Sequence, residues 1–285
     1  MKYFSMFSGI GGFELGIKTA FAKRNSTCDQ SNKYKKQSES CIGFSEIDKY
    51  ATQIYKSHFP NHKEYGDVSN ITWSDVPDFE LLCGGFPCQS FSIAGKRKGF
   101  SDTRGALFFE IARAAQEKQP RLLFLENVKG LLSHDKGKVF GTILNTLDEL
   151  GYDLQWQVLN SKNFGVPQNR ERVFIIGHLR GTSRPQIFPI NGFGMGKTHP
   201  AVCLTKRGYG SQRNGTYVAT YSKETKIRRL TPTESERLQG FPDGWTEKGI
   251  DIKGNCVAIS DTRRYCCLGN AVTVHVITAI AEKIS

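Results

Sequence analysis

The chain lacks the marks of several protein classes. Its eight cysteines (Cys28, Cys41, Cys83, Cys88, Cys203, Cys256, Cys266 and Cys267) include no C-x-x-C pair and no His-rich partner segment, which argues against structural zinc. No apolar run approaches the roughly 20 residues that span a bilayer, and the opening MKYFSMFSGI lacks the long apolar region and small-residue cleavage site of a signal peptide. The expectation is a soluble, cytoplasmic protein with no membrane partner, its cysteines mostly thiols. Acids are also short: 27 Asp and Glu face 39 Lys and Arg, a net charge of +12 that favours an extended anionic partner. Charge alone does not choose among nucleic acid, membrane surface and accident. A chain of 285 residues can bury a large core, as one large domain carrying a smaller one.

What is present alternates. KYFSMF, CIGFSEID, FELLCGG, RLLFLENV, LQWQVLN and RVFIIGHL are strand candidates, separated by helix patterns in GGFELGIKTAFAK, ALFFEIARAAQEK and VFGTILNTLDELGY. This is the rhythm of βαβ units and a parallel sheet, an α/β domain. The segment RNSTCDQSNKYKKQSES has no apolar periodicity and is expected to be an exposed loop. From about 181 to 225 the chain turns Gly-, Arg-, Thr- and Lys-rich, the composition of a loop-rich module. GNAVTVHVITAIAEKIS reverts to an apolar helical pattern. The expected division is an α/β sheet domain over 1–180, a small loop-rich domain over 181–262, and a segment 263–285 that returns to the first domain.

In FSGIGGFELG, residues 7–16, glycines follow a strand and open a helix, which lets a ligand approach the backbone and the helix N-terminus. It is not a strict G-x-G-x-x-G, and a tight structural turn needs glycine equally. Glu46 in FSEID falls where doubly wound folds place an acceptor for ribose hydroxyls, or is a plain surface carboxylate. In LLCGGFPCQSFS, Cys88 follows Pro87 at the carboxyl end of a strand, where open α/β sheets bind ligands. Cys83, inside the strand, fits a small buried hydrophobe better. FLENV runs another strand into Glu126-Asn127, so a nucleophile and a carboxylate would face one crevice. In PQNRERVFIIG, Arg170 and Arg172 alternate onto one face if the strand begins there, to hold an oxygen-bearing ring or simply to meet solvent.

Taken in order, FSGIGGFELG, GGFPCQSFS, FLENV, QNRER, RRLTPTESERLQGFPDGW and LGNAV resemble the motifs of the cytosine-C5 DNA methyltransferase family. The resemblance covers nearly the whole chain outside 25–40 and 181–200. It implies a Rossmann-like methyltransferase sheet domain with a small loop-rich DNA-recognition domain, S-adenosylmethionine as donor, and a cytosine flipped out of double-stranded DNA as acceptor. The residue types suit that chemistry. C5 of cytosine is a poor nucleophile, and a thiolate added at C6 with a proton on N3 makes it an enamine. Cys88 would supply the thiolate and Glu126 would hydrogen-bond N3 and the exocyclic amine. Arg172 would contact O2 and orient Glu126, and Arg170 would support the site and hold Cys88 as thiolate.

For the donor, the resemblance implies Phe7 against the adenine ring, Gly9, Gly11 and Gly12 near the methionine portion, and Glu46 on the ribose. Asp67 of YGDVSN would accept from the adenine amine, beside Val68. Gly85, Pro87 and Leu107 would line the site, and Asn270 and Ala271 would close it. QSFSIAGKRKGFSDTRG resembles the family's loop that closes over DNA. Gln89, Ser92, Lys96, Arg97, Lys98 and Arg104 would contact DNA there, its cations meeting phosphates without reading sequence.

The chain departs from the pattern where the family inserts its variable recognition region, which is short here. Lys206, Arg207, Gln212, Arg213 and Asn214 in LTKRGYGSQRNG are the candidates for base edges. Many members have Thr-Leu at the start of this stretch, where this chain has Cys203-Leu204. Three other classes share parts of this pattern. A tRNA-methylating relative would show Pro-Pro-Cys-Gln and a later Cys-Phe-Thr, but Phe86 precedes Pro87 and no such tripeptide follows. A silent nucleic-acid binder would not need Cys88. A nicotinamide oxidoreductase shares the glycine turn and the strand-two acid but leaves Pro87-Cys88-Gln89 and Glu126-Asn127 unexplained. A monomer is the default, and a cognate restriction endonuclease on the same site is left open.

Overall fold

The near-continuous apolar runs of the first half form strands buried on both faces. The computed structural model describes residues 1–27, 38–87, 107–190, 201–202, 217–220 and 226–284. β1 (Lys2–Met6), β2 (Ser40–Ser45), β3 (Leu81–Gly85), β4 (Leu122–Val128) and β5 (Tyr152–Asn160) join β7 (Glu171–Leu179) in one sheet of order β2-β1-β3-β4-β7-β5. Between β5 and β7 lies the two-residue β6 (Gln168–Asn169). The period of two along each strand divides the core. Tyr3, Leu81, Cys83, Leu122 and Phe124 point to one face, and Phe4, Met6, Leu82, Leu123 and Leu125 to the other.

Each face is covered by helices. α1 (Gly12–Thr27) and α7 (Val274–Ile284) lie on the first, and α3 (Phe108–Lys118) and α4 (Lys138–Glu149) on the second. α1 and α7 pack closely because α1 presents glycine there: a Cβ on Gly16 would stand 2.6 Å from Ile277 and one on Gly12 2.7 Å from Val272. α2 (Lys49–His58) follows β2 and starts at Asp48, whose side chain accepts from the backbone N–H of Tyr50 and Ala51.

The sheet is parallel through β2, β1, β3 and β4, but β7 runs antiparallel to both β4 and β5. The alternating pattern does not predict that reversal. Its cause is the link between β5 and β7, residues 161–170, too short to carry the crossover helix that a parallel neighbour requires.

Past residue 190 the described backbone includes β8 (Ala201–Val202), paired in parallel with β6, and the antiparallel pair β9 (Tyr217–Thr220) and β10 (Lys226–Arg229). α5 (Pro232–Gln239) then begins on a capping box of Thr231 and Glu234 with Pro232 in its first turn, and ends at Gly240 in the left-handed region. β11 (Lys248–Ile250) pairs with β12 (Cys256–Ala258). Phe241, Trp245 and Ile259, within the stretch 181–262, share a core with Ile10, Phe44, Tyr55 and Phe59. The closing apolar stretch is two helices, α6 (Asp261–Asn270) and α7, broken at 271–273. Among the described residues 261–284 alone have the length and composition to cross a membrane, but the break and the burial of α7 against α1 make them a core pair.

Candidate active site

The carboxyl ends of β1, β2 and β3 open onto a turn-rich edge. After Met6 the chain turns through Phe7 (φ 55°), Gly9 (φ 57°) and Gly11 (φ 85°) into α1. The backbone N–H of Gly9 donates to Glu46 Oε2 at 2.8 Å, while Ile47 and Asp48 donate to Oε1, each at 2.8 Å. Burial raises the Glu46 carboxyl, and those N–H groups oppose it. Three donors leave room for one more on a carboxylate with about four acceptor positions, which suits a ribose hydroxyl. The three turn glycines differ. A Cβ on Gly9 would meet nothing within 4 Å, whereas one on Gly11 would stand 2.5 Å from the Phe59 ring, and Gly12 abuts Val272. Gly9 therefore faces open space, whereas at Gly11 and Gly12 the packing leaves no room for a side chain. Nearby, Ile47 is 73% exposed. Asp67 caps a 3-10 turn, Val68–Asn70, and accepts from the Ser69 N–H (2.9 Å) and hydroxyl (2.7 Å). Val68 is buried, its side chain in the core and its carbonyl accepting from the Ile71 N–H at 3.3 Å.

The adjoining edge holds the acid. Gly85 pairs in register with Glu126 across β3 and β4, and a Cβ on Gly85 would stand 2.9 Å from Glu126 Oε2. Only glycine leaves that carboxyl its place. Glu126 is buried, and Arg172 Nε stands 3.0 Å from its Oε1. Burial raises the Glu126 carboxyl against the opposing pull of Arg172 and Arg170. Asn127 donates from Nδ2 to the Phe86 carbonyl at 2.9 Å and accepts from the Val128 N–H at 2.8 Å, so β4 holds the chain just before Pro87. Cys83 is fully buried, its thiol pushed well up by burial.

Arg170 and Arg172 both act on the Glu126 charge but bond to different groups. Arg170 is buried and donates from Nη2 to the carbonyls of Gly269 (3.2 Å) and Ala271 (2.9 Å), tying the GNAV segment to the start of β7. Gln239 Nε2 reaches the Leu268 carbonyl at 2.9 Å, and Gln168 Nε2 reaches the Leu238 carbonyl at 2.6 Å. Asn270 is exposed and Ala271 buried in this framework; Pro87 is exposed and Leu107 half-buried. Cys88, Gln89, Ser92, Lys96, Arg97, Lys98, Arg104, Lys206, Arg207, Gln212, Arg213 and Asn214 lie outside the described residues.

Two contributors escape the sequence. Trp245 donates its indole N–H to the Ile10 carbonyl at 2.9 Å, in the middle of the glycine turn, and its ring stacks on His58 at 3.5 Å. The fully buried Glu236 shapes the loop that presents it, accepting from the N–H of Gly244 (2.7 Å) and Thr246 (2.8 Å) and pairing with Arg264 at 3.2 Å. The partners are 235 residues apart in the first contact and 28 in the last, so periodicity carries no signal of them.

Comparison with known proteins shows the family. The family model of C-5 cytosine-specific DNA methylases matches residues 1–201 and 193–285. The Type II methyltransferase M1.ScrFI of Lactococcus lactis subsp. cremoris is 36% identical over 330 residues, covering 99% of this chain and 77% of its own. M.NlaX of Neisseria lactamica is 35% identical, covering 99% and 95%, and M.HhaI of Haemophilus parahaemolyticus 30%, covering 100% and 94%. Among solved structures, the S. pombe Dnmt2 methyltransferase superposes with a TM-score of 0.73 at 17% identity over 98% of this chain and 96% of its own, a likeness of fold. The fold and the site edge define an S-adenosylmethionine-dependent methyltransferase of the α/β sheet type. The chain belongs to the C-5 cytosine-specific DNA methylase family, and its substrate is DNA. The alignment with M1.ScrFI runs over 330 positions against 285 residues here, so that relative carries segments this chain lacks. The family match itself divides near 193–201, beside the short recognition stretch.

Proposed function

We propose that the chain methylates C5 of a cytosine flipped out of double-stranded DNA, at one short sequence, through a covalent bond between Cys88 and C6. The observation that carries this reading is the buried Glu126–Arg172 pair beside Gly85, one strand from the Phe86-Pro87 backbone that Asn127 holds. Glu126, its carboxyl raised by burial, holds a proton where N3 of the base would sit and accepts from the exocyclic amine. Protonating N3 while a thiolate adds at C6 makes C5 nucleophilic, and Arg172 orients the acid and meets O2; once C5 carries the methyl group, a base takes its proton, the C6–S bond breaks and the Cys88 thiolate leaves. Arg170 acts at one remove, by holding the GNAV segment.

S-adenosylmethionine supplies the electrophilic methyl group when bound. The open space over Gly9 and the spare acceptor position on Glu46 fit its ribose and methionine portion. Phe7, Asp67 and the Val68 backbone hold the adenine, and Gly85, Pro87, Leu107, Asn270 and Ala271 complete the walls; Gly11 and Gly12 shape the turn from behind. The basic residues Lys96, Arg97, Lys98 and Arg104, with Gln89 and Ser92, meet the DNA backbone and the base. Lys206, Arg207, Gln212, Arg213 and Asn214 read base edges in the major groove. The relatives' Type II names favour a restriction-modification setting, with a cognate endonuclease on the same site, in the cytoplasm of a bacterial or phage-infected cell. The enzyme acts as a monomer.

The test is base-resolution bisulfite sequencing of plasmid DNA from cells expressing the wild type or Cys88→Ser. Protected cytosines in one short context, absent with the variant, are expected. No protection from soluble, cofactor-binding wild type would redirect the assignment to tRNA or to a silent binder.

A further inference from the structure

On α3, Arg113 reaches back across the sheet face to the turn that Asp67 caps. Its Nη1 donates to the Ile71 carbonyl at 2.7 Å and its Nη2 to the Val68 carbonyl at 3.0 Å. Glu110, one helical turn earlier, accepts from Nε at 2.9 Å and from Nη2 at 2.6 Å, which fixes the plane of the guanidinium. The two carbonyls bracket the 3-10 turn, whose own bonds are the Asn70 N–H to Asp67 at 3.0 Å and the Ile71 N–H to Val68 at 3.3 Å. One planar cation therefore grips both ends of a three-residue turn, a task for which a lysine has only a point charge. Beneath it Val68, Ile71 and Trp73 anchor the turn in the core, so the backbone is held from two sides and the Asp67 carboxylate stands on a fixed base.

We propose that Arg113 is a positioning residue for cofactor recognition: by holding the Val68 and Ile71 carbonyls it sets the turn that presents Asp67 to the adenine amine. This rests on the reading of Asp67 as the amine's acceptor. A merely structural arginine would lower stability and weaken every ligand alike. A positioning arginine loses one discrimination, that between a base bearing an amine donor and one bearing a carbonyl.

The experiment is calorimetric binding of S-adenosylhomocysteine and S-inosylhomocysteine to the full chain, wild type and variants, beside KM and kcat for S-adenosylmethionine. The wild type is expected to favour the adenine compound by about 10- to 100-fold, the range of a hydrogen bond to a charged group. Asp67→Asn should erase most of that preference. Arg113→Gln should reduce it about tenfold and raise KM for S-adenosylmethionine similarly, while the affinity for S-inosylhomocysteine, KM for DNA and kcat at saturating cofactor change less than twofold. Arg113→Lys, which reaches one carbonyl, should fall between and carries the test if Arg113→Gln does not fold. Equal weakening of both compounds in the Arg113 variants, or an undiminished preference, overturns the positioning role alone. An undiminished preference in Asp67→Asn overturns the assignment of Asp67, and the proposal with it.

Discussion

Arg172 and Glu126 meet diagonally across the antiparallel β4–β7 pair, where Glu126 is in register with Phe174 and Arg172 with Val128, and their Nε and Oε1 atoms stand 3.0 Å apart. The reversed strand makes this contact, because it brings the arginine to the carboxyl end of β4 from the start of its own strand. Burial makes the Glu126 carboxyl harder to ionise and the arginine partly offsets it. Glu126→Gln, which keeps the shape and removes the proton, should lower kcat by about 10²- to 10⁴-fold. S-adenosylmethionine affinity should be unchanged by calorimetry. Arg172→Gln removes the cation that favours the ionised form, so the alkaline limb of the single-turnover pH profile should move to higher pH while the rate falls.

A second carboxyl behaves differently. Glu14, in the first turn of α1, is fully buried, and burial pushes its carboxyl up to about 7, against the Tyr55 hydroxyl that donates to Oε1 at 3.1 Å. Its folded value lies above its unfolded value of 4.5, so the folded state binds the proton more tightly. Stability is therefore highest below about 4.5 on this account and falls as pH rises through about 7, by roughly 3 kcal/mol in full. Glu14→Gln keeps an acceptor for Tyr55 and cannot ionise. Urea titrations at pH 6 and pH 8 should show the wild type losing stability across that interval by an amount that the variant does not lose.

Much of this architecture is legible in the sequence because local rules dictate it. Continuous apolar runs such as LLFL have one stable use, as strands covered on both faces. Glu126 and Arg172 are legible because each sits at the end of a run that reads as a strand. The direction of β7 is not, since strand propensity is the same either way and the deciding fact is a ten-residue connection. Arg170 is misjudged by its spacing from Arg172. It stands just before the strand, where alternation does not yet apply, and its partners are backbone carbonyls about a hundred residues away. The sequence marks Gly11 and Gly12 as turn glycines, but that a side chain there would collide with Phe59 and Val272 is visible only in the fold.

Trp245 shows the same limit. Its indole N–H is the buried donor to the Ile10 carbonyl, between the two left-handed glycines Gly9 and Gly11, while His58 Nε2 meets the Trp245 carbonyl at 2.7 Å. Trp245→Phe keeps an aromatic ring for the stack on His58 and removes that donor, leaving the Ile10 carbonyl without it in a site that excludes water. The expected cost is about 1–3 kcal/mol, read as a lowering of the melting temperature by several degrees. Because the lost bond pins the turn proposed above to face the cofactor, S-adenosylhomocysteine should bind a few-fold more weakly and rescue less of the melting temperature in the variant than in the wild type. Equal rescue at matched ligand concentration would mean that the bond stabilises the fold and leaves the geometry of the turn to Glu46, whose carboxylate holds the Gly9 N–H from the other side.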